Sequence, residues 1–338
     1  MTESKVNGII VWLVMCLVLI GCSDGSPRGW TIENEINTES KWTHWYRPKD
    51  DPTFTADYGN NHDSILFYDS QLEYPYHLII SHQPTHAFLW RSKKFSIHSS
   101  EWELASDHYV IGNHYEYDDG VRVGDTYYIF EQGLVYTFSG ALEDANGQWQ
   151  ATGTFPKAGS DDIGVFYEDE IFHIFGEYGD FPHGPDGTSL SHYTSPTGLG
   201  DWTLVDNKAV DANPRGGHKY GVGDATIEKI DGAYYLFSDI ESKGNPYKVV
   251  AWRSNSLYEP FTFLGTAIEA RSQETDDRDN ERIQDCDILW IGEIDQYVMS
   301  CNMRDIDGVP GGNFPTLNKN TSRVIGFFLS GHFPEETV

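Results

Sequence analysis

The stretch GVGDATIEKIDGAYYLF, Gly221–Phe237, holds two short runs on either side of an Asp-Gly pair, with Asp224 at the head of the first run and an aromatic second run. Asp-Gly between two such runs is a tight-hairpin signal, so the stretch reads as two antiparallel strands. The same order returns along the chain. An aspartate leads an apolar run in NNHDSILFYDS (60–70), YDDGVRV (117–123), SDDIGVF (160–166), GDATIEK (223–229) and QDCDILW (284–290). Asp63, Asp119, Asp162, Asp224 and Asp285 are thus spaced by 56, 43, 62 and 61 residues. Each is followed by a second strand, in turn YPYHLIIS, DTYYIFE, EIFHIFGE, GAYYLFSD and DQYVMSC, with turns such as VGD, YEDE, KIDG and GEID between.

A third strand repeats less regularly. Trp90-Arg91-Ser92 and Trp252-Arg253-Ser254 hold matching places, and LSHYTSPTGLGDWTLV (190–205) is a looser copy. Three or four strands per unit, five units and no long amphipathic helix predict an all-β, five-bladed β-propeller over residues 58–338. A pair of β-sandwiches is the competing arrangement, but a sandwich does not call for an acidic residue at every strand start. The 20 Tyr, 18 Phe, 10 Trp and 33 Gly fit strands and turns. Residues 23–57 are expected to lie as a tether and extended arm, and SRVIGFFLSGHF (322–333) as a last strand closing the ring with N-terminal residues.

The net charge of −29 would repel phosphate backbones, which argues against nucleic acid as a partner. Such acidity is common in secreted proteins of marine or salt-adapted bacteria. Residues 1–22 carry one lysine and a short apolar run ending in LIGC, a pattern that resembles a bacterial lipoprotein signal with lipidation at Cys22. An uncleaved N-terminal anchor is the alternative. The lipoprotein reading implies export to the outer membrane or periplasm of a Gram-negative bacterium, with membrane attachment by the lipid alone. With Cys16 in the signal and Cys22 lipidated, Cys286 and Cys301 remain. They flank DILWIGEIDQYVMS, and a turn at GEID sets them opposite one another, within disulfide reach. Two buried free thiols are the other reading.

Aspartate, short strand, YYLF and an RS-containing third strand together resemble the five-bladed propeller glycoside hydrolases, a group that includes families 43, 32, 62, 117 and 130. The resemblance covers about residues 58 to 310. It implies an acidic pocket on the propeller axis, built from the starts of the innermost strands. It implies a general base at Asp63 and a second acid at Asp162, with Asp161 as its neighbour. The general acid of family 43 is a glutamate at the place of Gly223 or Asp224. No glutamate stands there, so Asp224 is the carboxyl candidate. Family 117 points instead to a histidine acid, for which His218 is available. The Ser-Ala-Arg motif of family 117 dimers is absent, and the oligomeric state is left open.

Each of these residues also has a plainer reading. An aspartate at a strand start caps a turn, and Asp119 and Asp285 are read as structural or as peripheral hydrogen-bonding partners of a sugar. Asp287 and Glu281 are further possible pocket acids. His62, His82, His86 and His183 suit sugar contact or structure better than metal ligation, because no helical pairing brings them together. No cofactor is expected, and an axial calcium has no specific support. Arg91 and Arg253 either clamp a sugar or pack between blades. Nucleotide-binding, metalloprotease and serine-hydrolase motifs are missing, which leaves acid–base chemistry. The expected activity is exo-acting, inverting hydrolysis that frees a terminal sugar from algal galactan oligosaccharides, such as 3,6-anhydrogalactose. Arabinofuranosidase or xylosidase action, a glycoside phosphorylase and a non-catalytic glycan-binding lipoprotein are the alternatives.

Overall fold

The structure, a computed structural model, describes residues 45–46, 53–54, 61–82, 86–112, 117–156, 159–178, 188–210, 221–241, 247–269, 282–304 and 323–330. Cys22, His183, His218 and Glu281 lie outside the described residues, and for His62, His82 and Asp161 only the backbone is described.

Five antiparallel sheets make five blades. Blade one runs outward from Asn61–Tyr68 through Tyr76–His82 and His86–Ser92 to Glu103–Tyr109. Blade two holds Asp119–Val123, Thr126–Glu131, Leu134–Ser139 and Gln150–Thr154. Blade three holds Gly159–Glu168, Ile171–Tyr178, Ser189–Ser195 and Thr203–Val210. Blade four holds Gly221–Ile230, Ala233–Glu241, Lys248–Ser254 and Thr262–Ile268. In blade five, Arg282–Ile291 and Gln296–Arg304 are followed by Arg323–Ser330. Its outer edge comes from the other end of the chain, where Trp45–Tyr46 and Thr53–Phe54 both pair with Arg323–Ser330. The ring therefore closes by hydrogen bonds between the two ends of the chain, and the propeller takes in residues from the segment read as an arm.

Local chemistry explains the hairpins. Glu168 pairs Ile171 across Asp169 and Glu170, and Ile230 pairs Ala233 across Asp231 and Gly232. All four turn residues have positive φ, as the tight two-residue turns that match strand twist require. The core is divided among the seams. Five apolar clusters lie one per blade–blade seam, for example Phe175, Leu190, Val222, Ala225 and Leu236 between blades three and four. Polar staples cross the same seams. Arg122 of blade two bonds Asp69 of blade one at 2.8 Å, and His77 of blade one bonds Glu143 of blade two at 3.2 Å. The bond from His77, with Arg91 beside it, draws the Glu143 carboxyl down to about 2 despite partial burial.

Candidate active site

The innermost strands neighbour one another in ring order, and their starts open on one cavity. The cavity, with the open solvent at its mouth, takes in about 270 Å³ and is lined by Asp63, Ser64, Asp118, Asp119, Ile163, Asp224, Ala225, Asp285, Cys286 and Asp287. Residues more than 200 positions apart in sequence thus share one wall. Among the described residues no basic side chain lines it. Among the described residues no three His, Cys, Asp or Glu side chains are grouped to hold a metal.

A backbone irregularity sets up the acids. Register shifts fall between Asn61 and Ser64, Gly159 and Ile163, Gly223 and Thr226, and Gln284 and Asp287. Asp63, Asp162, Asp224 and Asp285 sit inside these four bulges, where an extra residue re-aims a side chain. Asp224 and Asp285 also take positive φ, 32° and 48°. Asp63 is anchored by Ser81: its amide donates to Ser81 Oγ at 2.8 Å, and that hydroxyl donates to Asp63 Oδ2 at 3.4 Å.

Asp119 is out of step with the others. It pairs Phe130, whereas the residues opposite the matching Phe175 and Phe237 are Gly164 and Thr226, two positions after Asp162 and Asp224. Its work also differs. Asp119 Oδ2 accepts the amide of Val165 in blade three at 2.6 Å, as Asp287 accepts that of Leu66 in blade one at 2.7 Å. Thr226 Oγ1 likewise accepts the amide of Ile288 in blade five, at 3.2 Å. The residue of blade two at the level of the other four acids is Tyr117, which is buried. Asp119 and Asp287 are therefore inter-blade staples on the cavity floor rather than members of the acid ring. Burial pushes Asp119 up to about 7, and burial together with the Asp119 charge holds Asp287 well above the ordinary carboxylate range.

Asp162 and Asp285 meet Asp224. Burial, then the charges of Asp162 and Asp285, then a hydrogen bond with Asp285, raise Asp224 well above the ordinary carboxylate value, with Asp239 adding to the effect. Two further acids had no part in the sequence reading. A methyl group on Gly223 would collide with a carboxylate oxygen of Glu177 from blade three, and would lie 3.0 Å from Asp239 Oδ1. Both acids are buried. A signal for them exists, since each lies near the end of a second strand two residues after a buried phenylalanine, in IFGE and LFSD, and so returns to the mouth where Asp162 and Asp224 start.

Arg91 and Arg253 do not reach the cavity. Arg91 pairs His77, which pairs Phe67, four positions down the inner strand from Asp63. Its guanidinium bonds Glu103 at 2.6 Å and Glu143 at 3.1 Å. Arg253 Nε donates to Tyr235 at 2.7 Å, at the corresponding depth of blade four. Both arginines are thus engaged within and between blades, the arrangement of the packing alternative. His86 stacks near His108 on the outer part of blade one, with ring centroids 4.5 Å apart. Cys286 and Cys301 are joined by a disulfide, and pairs such as Asp287–Ser300 and Ile291–Gln296 keep the register expected from a turn at residues 292–295.

No family model matches the chain, and no curated protein matches its sequence. Solved structures do match its fold. The catalytic domain of a Coprinopsis cinerea GH62 α-L-arabinofuranosidase superposes with a TM-score of 0.59 at 12% identity, covering 87% of this chain and 99% of that one. The architecture is that of a five-bladed propeller. An exo-1,5-α-L-arabinanase from a bovine ruminal metagenomic library gives 0.55 at 11% identity, over 81% and 94%. An N-acetylgalactosamine deacetylase from F. plautii, solved with blood group B trisaccharide, gives 0.56 at 12%, over 84% and 94%. The fold expected from the five repeated units is thus shared with these proteins. Since one of them is named a deacetylase, the fold alone does not choose the chemistry.

Proposed function

We propose that the protein is an exo-acting glycoside hydrolase that inverts configuration at the anomeric carbon. The observation that carries this reading is that Asp63 and Asp224, from blades one and four, line one cavity in unlike surroundings. Asp224 is crowded by acids that favour its protonated form, while Asp63 is held by a serine hydroxyl. Acid–base cleavage of a glycosidic bond needs one carboxyl that keeps its proton and a second that can accept one. Asp63 takes a proton from water as the hydroxyl joins the anomeric carbon. Asp224 gives its proton to the departing oxygen as the carbon–oxygen bond breaks. Asp162 supports the protonated state of Asp224 by its charge.

The acids that line the cavity among the described residues disfavour sulfated sugars. Neutral terminal sugars of algal galactan oligosaccharides, 3,6-anhydrogalactose among them, fit this requirement. Terminal arabinofuranose fits it too, and the arabinose-directed names of two fold relatives favour that second reading. Export as a lipoprotein anchored through Cys22 would place the enzyme where such oligosaccharides arrive.

The test is incubation of the purified protein with a panel of neutral algal and plant oligosaccharides, with released monosaccharide followed by proton NMR. Release by the native protein and its loss in Asp63→Asn supports hydrolysis. Binding without release identifies a glycan-binding module. Product formed only with inorganic phosphate identifies a phosphorylase.

A further inference from the structure

Asp285 was read from sequence as structural or peripheral, yet it is the acid hydrogen-bonded to Asp224. Two side-chain amides also donate to it. Gln284 Nε2 lies 2.8 Å from Asp285 Oδ1 and 2.9 Å from Oδ2, and Asn302 Nδ2 lies 2.8 Å from Oδ2. Both oxygens of Asp285 are therefore acceptors, the pattern of an ionised carboxylate rather than a carboxylic acid. Two carboxyls that share a hydrogen bond hold one proton between them. With Asp285 accepting at both oxygens, that proton belongs to Asp224.

We propose that Asp285 is a positioning residue for the acid: its amide-fixed carboxylate holds the proton on Asp224 and aims it until the leaving oxygen takes it. This rests on the hydrolase reading above. The support is built into blade five. Asn302 and Gln284 are buried and directly paired across the two strands, and the Cys286–Cys301 bond lies one residue from Asp285 and one from Asn302. The disulfide thus ties the bulge that carries Asp285 to the strand that carries its amide donor. Among the described residues, other charged groups around Asp224 are Asp162 from blade three and Asp239 from its own blade, with Glu177 behind Gly223.

The experiment pairs two variants with two readouts. Asp285→Asn removes the accepting charge, so Asp224 loses its proton more easily. The alkaline limb of the kcat/KM profile then moves down by about 1 pH unit or more. Asn302→Ala removes a donor from the Asp285 carboxylate, disfavours the doubly ionised pair and moves that limb up. Opposite shifts are not expected from general loosening of the blade. The second readout needs no substrate: carbon-13 NMR of carboxyl-labelled aspartate, with Asp224→Asn used to find the Asp224 signal. The native signal is expected to be that of a protonated acid at neutral pH and to become that of a carboxylate in Asp285→Asn. An Asp224 signal already ionised in the native protein, or unmoved by Asp285→Asn, overturns the proposal. If the NMR result holds while no oligosaccharide is cleaved, the hydrolase reading fails and the proton assignment stands.

Discussion

A carboxyl's surroundings decide its use, and the acids of this cavity divide by what each oxygen touches. Asp119 and Asp287 accept backbone amides of the next blade, and so hold the ring together. Asp63 and Asp224 line the cavity from blades one and four, where the proposed chemistry takes place. Asp63→Asn is expected to lower kcat by about 10²–10⁴-fold with little change in KM, measured on whichever oligosaccharide the native protein cleaves. Glu228, four positions below Asp224, is pushed up to about 7 by burial. Its native proton is retained above the unfolded value of 4.5, so it makes folding less favourable as pH rises from about 4 and levels off above 7. Glu228→Gln should therefore gain about 2–3 kcal/mol on the native protein between pH 4 and pH 9, read by urea unfolding at both pH values. An unchanged difference would mean that Glu228 is solvated. The repeat of Asp before a strand was legible at this scale, but not its phase. Four strands carry a bulge before the shared register and blade two does not, so counting from the aspartates misplaced Asp119 by two positions.

The elements most readable from sequence are the hairpins, because Asp-Gly and similar turn pairs act locally. What brings neighbouring blades together is not local. At Gly164 an added methyl would strike the carbonyl of Ala225 on the next inner strand, and backbone cannot step aside. Gly164→Ala is expected to cost about 2–3 kcal/mol, measured by thermal or denaturant unfolding. At Gly223 the obstacle is the end of the Glu177 side chain, which can swing away. Gly223→Ala should therefore cost less stability than Gly164→Ala and act mainly on turnover. Arg91 and Arg253 show the limit of repeat-based reading. Their repetition was visible, but only strand order reveals that a third strand stands away from the axis. The cysteine pair was open to two readings for a related reason: a hairpin register gives reach, whereas bond formation depends on where the bulge turns Cys286. Reducing that bond should lower stability by about 3 kcal/mol, the scale set by the 15-residue separation of its cysteines.

Across the whole molecule, closure and charge set the working range. The two chain ends meet in blade five, so deleting residues 45–54 should strip Arg323–Ser330 of its outer partners, leave it paired to Gln296–Arg304 and lower the thermal midpoint. The pH response has two opposing sources. Asp119 and Glu228, raised to about 7, make the protein less stable as pH climbs from about 4 to 7. His173 and His192, 2.9 Å apart in blade three, are lowered by burial to about 4 and about 3. The unfolded chain binds protons at these histidines first, so stability falls as pH drops below about 6.5. A maximum in thermal midpoint at mildly acidic pH follows, and scanning calorimetry across pH 3 to 9 would locate it.

That acids from distant parts of the chain meet across one sugar is tested most directly by a crystal structure of Asp63→Asn with an uncleaved oligosaccharide. The expected result has the terminal sugar in the axial cavity, Asp224 within hydrogen-bond distance of the glycosidic oxygen and residue 63 on the opposite face. The two carboxyl positions would then be about 6.5–9.5 Å apart, with room for one water. A sugar bound outside the cavity, or residues 63 and 224 on the same side of the bond, would contradict it.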